Sequence, residues 1–127
     1  MNAYSDLIRA LKQNAVFSGL SGLFLLLLPE FVVQFLDLGA SWFFRALGVG
    51  LLLFAVDLVH QTRQVYLSPL RAMLAALADF AWVLGTAVFL LSWGKDATTQ
   101  GQVALVLIAA VVAQFGMRQW RGASAIR

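Results

Sequence analysis

The chain of 127 residues has no cysteine, two prolines, one histidine and one glutamate, and only 12% of it is charged. Without cysteine there is no disulfide framework, no thiolate metal site and no cysteine nucleophile. A single histidine, His60, gives no set of imidazoles for zinc or haem, so neither a metal nor a cofactor is expected. No nucleophile–base pair or phosphate-cradling loop is visible, and the loops are too short to build a separate site. An enzyme is therefore not expected. Soluble domains are about a quarter charged and near half apolar. At 61% hydrophobic, this chain falls in the membrane class.

The two prolines mark helix ends. Pro29 closes the apolar run 15–28, which alone is short of the roughly 20 residues a span needs. Adding the amphipathic turns from Leu7 gives a first span over 7–28, with Arg9 and Lys12 reaching back to the headgroups. No small-x-small cleavage site precedes Pro29, so this span is expected to stay in the chain rather than to leave as a signal peptide. Residues 29–38 (PEFVVQFLDL) are too few to cross again and suit a short interfacial helix. Gly39-Ala40-Ser41 then turns the chain into a second span over 42–60. Pro69 fits the first turn of a third helix over 70–93, where its missing N–H costs nothing. A compact turn over 94–101 leads to a fourth helix over 102–120, and the tail 122–127 is expected to fray. The fold class is all-α membrane: one domain, an antiparallel four-transmembrane-helix bundle with a short interfacial segment after helix 1.

A net charge of +3 can signal nucleic acid, but here the cations lie in short segments between apolar runs. That is the pattern of a topogenic signal, and no nucleic-acid partner is expected. Arg9, Lys12, Arg63, Arg71, Arg118, Arg121 and Arg127 fall on one side, against Arg45 and Lys95 on the other. The positive-inside rule then places both termini in the cytoplasm. Aromatic residues agree, with Trp42 and Trp93 at the outer interface and Tyr4, Tyr66 and Trp120 at the inner one.

The third span carries one carboxylate, Asp79. It lies eight residues past Arg71, roughly 12 Å into a hydrocarbon core about 30 Å thick. Ala72, Ala75, Ala76, Trp82, Val83 and Thr86 share its face, while Leu74, Leu77, Ala81, Leu84, Val88 and Leu91 form the opposite, mostly Leu/Val stripe that faces lipid. The other helices offer polar residues at similar depth. Asn14, Ser18, Ser21 and Gly22 share a face of helix 1, Asp57 and His60 lie three apart on helix 2, and Gln114 lies on helix 4. Asp79, Asn14, Ser18, Asp57, Gln114 and Trp82 are thus the candidate proton or ligand cluster, gathered in the cytoplasmic half.

Two readings of Asp79 compete. In one, it is hydrogen-bonded by Ser18, Asn14 or the Trp82 indole and sets helix register, each polar contact contributing about 0.6 to 2 kcal/mol. In the other, the cluster lines a cavity open to the cytoplasm, since a charge near mid-membrane costs about 2.5 kcal/mol or more and such residues mark working sites. Asp57 and His60 also fit an exposed helix-end pair in reach of headgroup water. Arg45 has Asp37, Glu30 or a lipid phosphate as candidate partners. Ser18-x-x-x-Gly22, Ala46-x-x-x-Gly50 and Ala81-x-x-x-Gly85 are small-xxx-small matches that close either the monomer's core or a dimer.

The layout of Pro29, Phe35-Leu-Asp-Leu, Arg45-Ala-Leu-Gly-Val-Gly-Leu-Leu-Leu-Phe and Ala78-Asp-Phe-Ala-Trp-Val-Leu-Gly resembles a broad group of uncharacterised small four-helix bacterial integral membrane proteins. The resemblance implies a bacterial inner membrane and carries no function. Small multidrug transporters match in length but have a key glutamate in the middle of the first helix, whereas Glu30 here follows Pro29. Dual-topology fluoride channels have Asn- and Gly-rich helix motifs and balanced charge, both missing from this chain. The expected function is an accessory, assembly or scaffold subunit packing on itself or on another membrane protein. The alternative is a small transporter or proton-coupled channel centred on Asp79. Partners are membrane lipids and either a second copy or another membrane protein.

Overall fold

Local chemistry sets each helix boundary. In the computed structural model, which describes residues 2–126, Asn2 caps the first helix by accepting from the Ser5 amide at 2.8 Å. Helix α1 therefore begins at Ala3 and runs to Leu27, a turn earlier than the apolar pattern indicates. Pro29 starts the short helix α2, Pro29–Leu36, which ends where Asp37 takes a left-handed conformation and Gly39 follows with φ +96°. Helix α3 spans Ser41–Thr62, and α4 spans Pro69–Ser92 with Ser68 as its cap and Pro69 in its first turn. A 3₁₀ turn, Gly94–Asp96, leads to α5, Thr99–Ile126, whose first turn is capped by the Thr98 hydroxyl. The described residues form no strand.

Helices α1, α3, α4 and α5 are each long and apolar enough to cross a membrane. Their outer faces suit lipid: Leu91 is 88% exposed and Leu84 66%. The stripe expected to face lipid on α4 does so, while Ala72, Ala75, Ala76 and Asp79 turn inward. The architecture is the expected four-helix antiparallel membrane bundle.

The helices stand in an arc ordered α3–α1–α5–α4. Two close approaches hold it. At Gly22 and Gly48, α1 and α3 cross so tightly that a Cβ on Gly48 would stand 2.7 Å from the Gly22 carbonyl oxygen. At the end holding both termini, a Cβ on Gly122 would stand 2.8 Å from that of Leu7. The 122–127 tail expected to fray is accordingly helical as far as Ile126. Its small residues let α5 close on α1, Ala123 is fully buried and Ile126 packs on the core. Arg127 lies outside the described residues.

Helices α3 and α4 close the arc poorly. They are tied near their connecting loop, where Arg71 Nη2 lies 2.6 Å from Asp57 Oδ1, and otherwise hardly touch. At the opposite end α2 bridges α3 and α5, with Leu36 against Gly101 and its carbonyl accepting from the Thr98 amide at 3.0 Å. The ion pair Arg45–Glu30, at 3.3 Å, fastens α3 to α2, so of the partners open to Arg45 the structure selects Glu30.

Candidate functional site

Asp79 sits at the centre of a buried amide network. Asn14 Nδ2 donates to Asp79 Oδ2 at 2.9 Å and to Gln119 Oε1 at 2.7 Å. Gln119 Nε2 donates to the same Asp79 oxygen at 2.9 Å, and the Ser18 hydroxyl donates to Asn14 Oδ1 at 3.0 Å. All four side chains are at least 96% buried. Each donor direction converges on the carboxylate, as suits an acceptor taken out of water.

The remaining oxygen, Oδ1, takes no hydrogen bond among the described residues. It is not sealed either, because Gln61 Oε1 is the one fully enclosed unpartnered side-chain atom among them. No Lys or Arg pairs with Asp79 among the described residues. Asp79 also lines a cavity of about 930 Å³ that fills the space inside the arc on the α2 side.

That cavity is almost wholly apolar. Phe31, Val32, Phe35 and Leu36 of α2 form its roof, and Ser18, Asp79 and Val112 lie at its floor. On its open side Ala46 and Gly50 of α3 face Ala78 and Trp82 of α4. A Cβ added to Gly50 would meet nothing within 4 Å. Ala46, Gly50 and Ala78 are too small to fill the seam between the two helices, which leaves the space open there.

The candidate cluster therefore divides. Asn14, Ser18 and Asp79 come together as expected, and Trp82 lines the cavity. The Trp82 indole makes no hydrogen bond to Asp79; its carbonyl accepts from Thr86 at 2.9 Å. Asp57 does not join the cluster. It is exposed at the loop end of α3 with Arg71 and Gln61, which donates to it at 2.8 Å, while His60 contacts the same guanidinium at 3.3 Å. Gln114 is exposed on the outside of α5 together with Ala110 and Met117. The inward amide on α5 is Gln119, which sequence reasoning passed over. Its signal lay in the spacing of Val112, Phe115, Gly116, Gly122 and Ala123, all buried on the face it shares.

The cavity lies toward α2, away from the end of the bundle that holds both termini. The half of the bundle nearer the termini is packed solid by Leu7, Leu11, Leu58, Ala72, Ala75 and Ala123, and the space lies in the other half. Small residues on α4 and α5 let four helices close at the terminal end, whereas those on the α3–α4 seam face each other across a gap. Among the described residues no three His, Asp or Glu side chains converge as a metal would require. Compared with known proteins, the chain matches no family model, no curated protein and no solved structure.

Proposed function

We propose that this chain is a non-enzymatic membrane protein that takes an apolar molecule from the bilayer into the cavity between α3 and α4, either to hold it or to pass it on. One observation carries this reading. A space of about 930 Å³, in the size range of small-molecule sites, reaches from a carboxylate to the seam where α3 and α4 hardly touch. This is the transporter-like alternative in modified form, with the ligand entering from the membrane rather than from cytoplasmic water. The charge bias supports cytoplasmic termini and hence a cavity in the outer half of the bilayer.

Filling the space tests the reading. Ala78→Phe combined with Gly50→Phe places two rings in the gap. Native mass spectrometry from mild detergent should show wild type retaining one apolar molecule and the double variant none, with equal helical content by circular dichroism. Identical adducts on both proteins, or none on wild type after exposure to an alkyl alcohol, would end it.

The accessory-subunit reading also has an observation in its favour. Ala46, Gly50, Ala81 and Gly85 are exposed, and a Cβ at Gly50 or Gly85 would meet nothing within 4 Å, so another helix can approach closely there. The natural chain has no cysteine, so Gly85→Cys supplies a unique crosslinking position. Efficient disulfide dimers in native membranes would favour a second copy on that face.

A further inference from the structure

Asp79 is the one ionisable residue lining the cavity, where Ser18, Ser21 and Trp82 are the other residues with polar groups. Its walls are aliphatic and aromatic, and its floor presents the unpartnered Oδ1 of Asp79, a residue 4% exposed. Oδ2 is held by Asn14 and Gln119, so the carboxylate cannot turn its free oxygen back into the protein without breaking two hydrogen bonds. No cation of the described chain pairs with it: Arg71 is engaged by Asp57 and Arg45 by Glu30, at opposite ends of the bundle. A buried carboxylate without a counter-ion is strongly unfavourable, and an incoming cation would relieve that cost. Trp82 lines the same cavity on the next turn of α4, and an indole face attracts ammonium groups.

We propose that the ligand of this cavity is a lipophilic amine: an apolar body lying along the walls beneath α2, and a protonated amine that donates to Asp79 Oδ1 beside Trp82. The apolar body enters through the gap at Ala46, Gly50 and Ala78, and the head follows to the floor. The assignment rests on the cavity reading above and adds the chemistry of the head group. Asp79 is then the residue that selects for charge, and Asn14 and Gln119 position it. An alcohol of the same chain length offers a neutral donor and no charge, so it fills the walls but gains less at the floor.

Native mass spectrometry of the purified full chain, titrated separately with n-decylamine and n-decanol, separates the two proposals. The expected result is saturable binding of both, with the amine favoured by about tenfold, the scale of a hydrogen bond to a charged group. Asp79→Asn should bring the amine down to the level of the alcohol and leave the alcohol unchanged. Equal binding of amine and alcohol to wild type would overturn the amine assignment and leave the cavity intact. Binding of neither would overturn the cavity reading itself. Because the wild-type contrast is decisive alone, the test survives if Asp79→Asn does not fold. Asp79→Glu, which keeps the charge, should then retain the amine preference, and loss of that preference would also count against the assignment.

Discussion

Asn14 and Asp79, 65 positions apart, are joined at 2.9 Å through an amide that also reaches Gln119. One side chain on α1 thereby links α4 to α5 at the level where the packed half of the bundle meets the cavity. It is the middle of a chain of donors that begins at Ser18 and ends on the carboxylate. Removing different members should have different costs.

Asn14→Leu removes two donated hydrogen bonds and leaves Asp79 with Gln119 alone. The expected loss is about 1–3 kcal/mol, the range for stranding buried polar groups. Ser18→Ala removes only the outermost donor and should cost about 0.6 kcal/mol, the typical value for a polar contact between membrane helices. Unfolding in mixed micelles followed by circular dichroism measures both. Equal stability of Asn14→Leu and wild type would remove the structural role of the network.

The α1–α3 crossing makes a sharper contrast between two glycines two residues apart. At Gly48 a new Cβ meets backbone atoms of α1 at 2.7 and 2.8 Å, which cannot yield without moving the helix. At Gly50 it meets nothing within 4 Å. Gly48→Ala should therefore destabilise by about 1–3 kcal/mol, as overpacking does. Gly50→Ala should be neutral or stabilising, since alanine is the better helix former. The same micelle unfolding assay compares them, and a reversed order would contradict the crossing.

Truncation before Gly122 removes Ala123, which is fully buried, and the glycine that meets Leu7. A frayed tail would be dispensable. The helical tail is not, and the truncated chain should unfold at lower denaturant than wild type and expose Leu7 and Leu11 to labelling. A cysteine at Leu7, reactive toward a maleimide only in the truncated form, reads this directly.

The Arg71–Asp57 pair is short but open to its surroundings, with side chains 35% and 50% exposed. Exposed pairs contribute about 0–1 kcal/mol. Asp57→Asn should fall in that range and leave ligand binding at the cavity unchanged. A large loss of binding would mean that the clamp controls the width of the α3–α4 gap.

The sequence by itself determined the class, the number of spans and the lipid-facing stripe of α4. These depend on hydropathy and a 3.6-residue period, both local properties of the chain. It also marked Asn14 and Ser18, since they share one face of α1 with small residues. On α5 it pointed to Gln114 rather than Gln119, although Gly116, Gly122 and Ala123 share the face of Gln119. In a membrane, leucine and valine suit lipid and core alike, so an apolar pattern says little about which polar neighbour turns inward. That choice was made by the close approach of α5 to α1 at Gly122 and Leu7, which sets Gln119 against Asn14. The same long-range contacts order the helices as an arc and leave α3 and α4 apart. Only the tertiary structure therefore decided that the open space lies beneath α2, beside the seam where α3 and α4 hardly touch.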